Sequence, residues 1–101
     1  MQHYHLEMSL EEIRSKIENL DNEILNLIVQ RTNLSKEVLD AKRKEGKAIN
    51  DAEQEKIVIN NITDAATEKG LDSESVKNIF EILIKMNVDR QHELSGEGNL
   101  P

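Results

Sequence analysis

Apolar residues recur at Leu10, Ile13, Ile17, Leu20, Ile24 and Leu27, then at Leu34, Val38 and Ala41, and only position 31 interrupts the series. The steps alternate between three and four, which is a heptad seam along one helix. Ser9 stands before the seam with Glu12 three residues later, the arrangement of a capping box. Gly46 follows Lys42-Arg43-Lys44, a glycine suited to a left-handed stop behind basic residues at the negative end of the dipole. The pattern predicts a first helix over about 10–45. Asp51 then offers an N-cap, with Gln54 three residues on and Val58, Ile62 and Ala65 in register. This second helix runs over about 51–69 and stops at Gly70. A third starts at Asp72 and runs over about 72–94. Its stripe is Val76, Phe80, Leu83 and Leu94, widened by Ile79, Ile84 and Val88. Residues 1–8 and 95–101 carry no periodic pattern and read as tails around one helical domain, 9–94.

Helix length constrains the assembly. A helix over 10–45 is about 54 Å long at 1.5 Å per residue. A compact domain of this size has a radius of gyration near 13 Å. Two shorter helices of the same chain cannot cover such a seam, and a second copy related by two-fold symmetry can. The expected architecture is all-α, with three helices per chain, in an intertwined helical homodimer.

Composition excludes several chemistries. The chain has no cysteine, so no disulfide, thiolate metal site or cysteine nucleophile. Its four glycines make no phosphate cradle. His3 and His5 form an H-x-H pair in the N-terminal tail, which is too little for a metal site, and no metal is expected. The net charge of −7 argues against a nucleic-acid partner, which demands a basic face. No apolar run approaches the roughly 20 residues of a membrane span and no signal peptide is visible, so a cytoplasmic protein is expected.

The informative positions are polar residues on apolar stripes. Arg31 interrupts the first seam, Glu55 lies in register with Val58 and Ile62, and Asn87 and Gln91 lie in register with Phe80, Leu83 and Leu94. A buried polar group without a partner costs roughly 1–3 kcal/mol, and a charge costs more. Four such groups on three inward faces predict a shared polar cavity. Arg31 and Lys42 are eleven residues apart, on nearly one heading and about 16 Å apart, with Ser35 and Val38 as the floor between them. Asp51 and Glu55, like Asn87 and Gln91, are i, i+4 pairs that project together. Arg14 lies about 25 Å before Arg31 along the helix, out of reach of its own cavity but within reach of a partner's in an antiparallel dimer. Two arginines and a lysine in an acidic protein imply a small anion with more than one negative group, carrying hydroxyl or ether oxygens for Glu55 and Gln91.

Each residue also has a plainer reading. Arg31 can set register in a coiled coil, paired with Glu55. Asn87 and Gln91 can be a simple interhelical hydrogen-bond pair. Lys42 can answer the helix dipole, and Arg14 can be a solvated flank.

The runs Ile13-Arg14-Ser15-Lys16-Ile17, Leu20-Asp21, Gln30-Arg31, Lys36-Glu37-Val38 with Ala41-Lys42, and Ile49-Asn50-Asp51 with Glu55 resemble the all-helical class of chorismate mutases. So does the ending Ile79-Phe80, Ile84, Asn87, Gln91. The resemblance covers about residues 9–94. It implies a cofactor-free rearrangement of chorismate, a dianion, to prephenate in phenylalanine and tyrosine biosynthesis, at sites shared between two chains. It implies that Arg31 and the other chain's Arg14 bind the two carboxylates, and that Lys42 contacts a carboxylate and the ether oxygen. Gln91 then donates to that oxygen, and Glu55 with the Asp51 backbone holds the ring hydroxyl. Asn87 stands where the family often has serine, and either can hydrogen-bond a carboxylate. Gln54 stands where many members line the site with arginine, one cation fewer. Two other functions share these features: an isochorismate pyruvate lyase with the same cationic site, and a non-catalytic dimeric helical interaction module. The hydroxyl-binding group at Asp51 and Glu55 favours the mutase over the lyase.

Overall fold

The structure, a computed structural model, describes residues 7–96. It is all-helical, with no strand among the described residues: α1 Leu10–Asn33, α2 Ser35–Glu45, α3 Ala52–Glu68 and α4 Ser73–Ser95. By contacts the chain divides into two units, Met1–Gln30 and Arg31–Pro101.

In the first unit α1 starts as its sequence requires. Ser9 Oγ accepts from the Glu12 backbone N–H at 3.1 Å, and Glu11 and Glu12 occupy the first turn, at the positive end of the dipole. No residue of α1 is buried. The seam from Leu10 to Leu27 is exposed throughout, from 39% at Ile13 to 62% at Leu27.

The second unit carries the packing, with α4 lying against both α2 and α3. The helix expected over 10–45 is present as α1 and α2, separated by Leu34 alone. Leu34 keeps right-handed helical backbone (φ −69°, ψ −10°), and its carbonyl still accepts from Val38 N–H at 3.0 Å. The lapse has a local cause. Asn87 Nδ2 donates to the carbonyl of Arg31 at 2.7 Å, the carbonyl that faces the Ser35 N–H in a regular helix. A side chain that takes a share of a ladder carbonyl loosens that turn.

The other boundaries match the expected ones within a residue. At Gly46 (φ +69°) Lys47 N–H reaches Lys42 O at 2.8 Å and Gly46 N–H reaches Arg43 O at 3.3 Å, the paired bonds of a Schellman stop. Asp51 and Asp72 cap α3 and α4 by accepting from Gln54 N–H at 3.1 Å and Ser75 N–H at 3.0 Å.

The core is small and shifted from the predicted seam. Among the described residues the buried ones are Leu39, Ala66, Ser35 and Gln91. The predicted seam continues through Leu34 and, in α2, Val38 and Ala41, yet all three are exposed, and the face of α2 turned inward is Ser35 and Leu39. One residue of offset is 100° of rotation, enough to separate the two faces. Ile79, expected to widen the stripe of α4, is 55% exposed and lies on an outer face with Ile82 and Met86. The terminal tails fall largely outside the described residues, as do His3 and His5.

The Asp72 cap makes a pH prediction. Hydrogen bonds from the Ser75 hydroxyl and then from its backbone N–H hold the Asp72 carboxyl below its ordinary pKa. A carboxyl with a folded-state pKa below its unfolded one stabilises fully above the unfolded value, and that contribution is lost as pH falls through the folded one. Asp72→Ala is therefore expected to lower thermal stability at neutral pH, with the gap to wild type closing in acid. Melts of both proteins across that range check it.

Candidate active site

The elements of the second unit bring one set of polar side chains together. A cleft of about 360 Å³ is lined by Arg31, Val38, Lys42, Asp51, Gln54, Glu55, Asn87 and Gln91 among the residues expected there. Leu34, Ile49, Val58, Ile84 and Val88 supply its apolar wall. One residue expected in the floor is not on this wall: Ser35 is wholly buried, and its hydroxyl accepts from Asn87 Nδ2 at 2.8 Å. Arg14, expected out of reach of its own chain's cavity, lies exposed on α1 in the first unit.

The two cations are held by neutral acceptors. Arg31 Nη1 donates to Leu83 O at 2.9 Å and to Asn87 Oδ1. Lys42 Nζ donates to Ile49 O and, at 3.0 Å, to Gln91 Oε1. Among the described residues no carboxylate lies within ion-pairing distance of either. Ion pairs found among the described residues are short-range in sequence, such as Lys36–Asp40 at 3.1 Å and Lys85–Asp89 at 2.6 Å. Arg31 therefore does not pair with Glu55, and the register-setting reading of Arg31 loses its partner. Burial lowers the Arg31 pKa from its ordinary value, as expected for a cation partly withdrawn from water with no anion beside it.

Hydrogen counting shows what remains for a ligand. An ammonium has three N–H groups, and Lys42 uses two of them on Ile49 and Gln91. The amide of Gln91 has two, and one reaches Asn87 O at 3.2 Å. Each group keeps one hydrogen, and the two side chains meet at 3.0 Å. Lys42 and Gln91 thus each keep one uncommitted hydrogen on a shared wall of the cleft. Glu55 is half-buried on the wall, and at Asp51 one carboxylate oxygen accepts from Gln54 N–H while the carbonyl accepts from Glu55 N–H.

Backbone partners were not predictable from residue types. Ile49 O and Leu83 O act as acceptors that any side chain at those positions supplies equally. His92 is a further residue the stripes did not single out. Its Nε2 lies 2.7 Å from Asn50 Oδ1, which ties α4 beside Gln91 to the segment before α3.

The cleft thus holds two cations with no ion-pair partner among the described residues, on the same wall as Asp51 and Glu55, in a small all-helical chain. Residues 13–92 match the family described as chorismate mutase type II, and the chain belongs to that family. It is 42% identical over 78 residues to a chorismate mutase of Methanocaldococcus jannaschii, an alignment covering 77% of this chain and 79% of that protein. It is 30% identical over 81 residues to a bifunctional chorismate mutase/prephenate dehydratase of Buchnera aphidicola subsp. Schizaphis graminum. A bifunctional protein of the same description from Enterobacter agglomerans is 29% identical over 82 residues. The chain spans 21% of the length of each of these two, with 80% and 81% of its own length matched.

Proposed function

We propose that the chain catalyses the rearrangement of chorismate to prephenate in the cleft between α2, α3 and α4. The observation that carries this reading, within the chorismate mutase family, is that Arg31 and Lys42 face neutral acceptors in a protein of net charge −7. A cation partly removed from water without a counterion is costly, and a carboxylate ligand offsets that cost.

The reaction is intramolecular and concerted: one C–O bond breaks as one C–C bond forms. No proton moves and no nucleophile is required. Negative charge grows on the ether oxygen in the transition state. Lys42 and Gln91 each hold one uncommitted hydrogen, and both are proposed to aim it at that oxygen. Donors already held in place by Ile49 and Asn87 reorganise little as the charge appears, which is electrostatic preorganisation. Arg31 binds one carboxylate of the dianion and fixes the folded conformer, an orientation effect. Glu55 and the backbone at Asp51 take the ring hydroxyl, and Val38 closes the floor. Gln54 places an amide on the cleft wall.

The second carboxylate is assigned to Arg14 of a second copy. The support is the exposed seam of α1 together with the thin core: Leu39 and Ala66 are the apolar residues buried among those described. A domain that buries so little apolar surface has almost nothing to offset its conformational entropy. A homodimer that covers the seam supplies the missing burial and brings a third cation to each cleft.

Four outcomes test this reading. Lys42→Ala is expected to lower turnover about 10²–10³-fold, the usual loss for one such donor, with a smaller change in KM. Gln91→Glu puts a carboxylate against the developing charge. It should be slow at neutral pH and recover as the pH falls and the acid becomes a donor, whereas wild type shows no acid-side gain. A flat profile at wild-type rate would remove Gln91 from the ether oxygen.

Sedimentation at micromolar concentration is expected to show a dimer and no folded monomer. An active monomer would remove the role given to Arg14.

Arg14→Ala and Arg31→Ala, each nearly inactive alone, are expected to regain activity when refolded together. The mixed dimer carries both lesions in one site and none in the other. Heterodimers that form without activity would show that Arg14 does not act across the interface.

A further inference from the structure

We infer that Asn87 is a positioning residue that sets the orientation of Arg31, and that it does not itself contact the bound dianion. Its catalytic consequence rests on the mutase reading above, while its structural half does not. A primary amide has two N–H hydrogens and one carbonyl oxygen. In Asn87 both hydrogens are spent on protein: Nδ2 donates to Arg31 O at 2.7 Å and to Ser35 Oγ at 2.8 Å. The second acceptor is wholly buried, so releasing it strands a hydroxyl in the core. What remains of the amide is its oxygen, which accepts from Arg31 Nη1. An oxygen lone pair repels a carboxylate. The hydrogen bond that a serine hydroxyl offers a ligand is therefore not on offer from this asparagine.

The same bonds fix the guanidinium. Nη1 carries two hydrogens, and Leu83 O and Asn87 Oδ1 take both. The Nε–H and Nη2–H edge is left over, a parallel pair that matches the two oxygens of a carboxylate. Asn87 thus grips Arg31 twice, at its backbone carbonyl and at its side chain, across the turn where α1 gives way to α2. The grip leaves the fork as the face presented to ligand. It uses a neutral acceptor, so the positive charge is not cancelled before the dianion arrives.

The experiment reads Arg31 directly in the full-length protein without substrate. In ¹⁵N-labelled wild type, the guanidinium resonances missing from Arg31→Lys are expected to show resolved, slowly rotating Nη groups. In Asn87→Ala they are expected to average, with the helical circular dichroism retained. Kinetically, Asn87→Ala is expected to lower kcat/KM for chorismate about tenfold, mostly through KM, because the lost orientation weakens ground state and transition state alike. In the Arg31→Lys background the same substitution should change kcat/KM less than about twofold, the non-additivity of residues acting through one another. Asn87→Asp, scored by the same helical circular dichroism, is a second variant: it loses both Nδ2 bonds but keeps an oxygen on Arg31 Nη1, so rotation stays slow while its charge neutralises the fork and KM rises. Independent, multiplying effects of Asn87→Ala and Arg31→Lys would overturn the inference, as would a freely averaging guanidinium in wild type. If wild type does not turn over chorismate, the mutase reading falls and the resonances still decide the role of Asn87.

Discussion

Everything in the cleft depends on keeping two cations partly out of water without giving them a counterion. The chain has twenty carboxylates, yet Arg31 and Lys42 are bonded to two carbonyls and two amides. A carboxylate in either place would strengthen the folded chain and disable the receptor, because a ligand would then have to displace a covalently tethered rival. Neutral acceptors hold geometry while leaving the charge uncancelled. Asp51 and Glu55 stand on the same wall without pairing with either cation, and carboxylates such as Asp40 and Asp89 lie on solvated faces, where their pairs with lysines contribute little to stability.

That arrangement explains why α4 is the organising element. It packs on both α2 and α3, and from it come Leu83 O, Asn87 and Gln91, which between them hold both cations. Asn87 and Gln91 are one helical turn apart, so a single face of α4 serves two cations that stand eleven residues apart on α1 and α2. The second support for Lys42 comes from the segment before α3, and His92 ties that segment to α4 through Asn50. The helix lapse at Leu34 is the local mark of this packing, where an α4 side chain bonds to a helix carbonyl.

The exposed seam of α1 is the complementary feature. In its own chain this helix has no buried residue and its apolar stripe is uncovered, while the core of the second unit is thin. Under the proposed function the interface that covers this stripe also completes the site, so folding, assembly and catalysis share one surface.

Helix ends and seam were legible in the sequence because they depend on local physics. A capping hydroxyl or carboxylate at Ser9, Asp51 and Asp72, left-handed glycines at Gly46 and Gly70, and a three-four apolar rhythm act within a few residues. The polar residues that interrupt the stripes were legible for a related reason, since burial makes an unpartnered polar side chain conspicuous. Beyond that, residue types do not say which atoms meet. The sequence allowed Arg31 to pair with Glu55, Ser35 to face a ligand and Asn87 to donate to one. It offered no sign that Leu39, one place off the seam, is the buried residue of α2. Those choices turn on a 100° rotation between neighbouring positions and on main-chain carbonyls that no side chain advertises. The sequence by itself determined three capped helical stretches, an uncovered seam and a set of inward polar groups. Only the tertiary structure decided which hydrogens are spent on protein and which are left for a ligand, because hydrogen-bond saturation is a property of atoms brought together by packing.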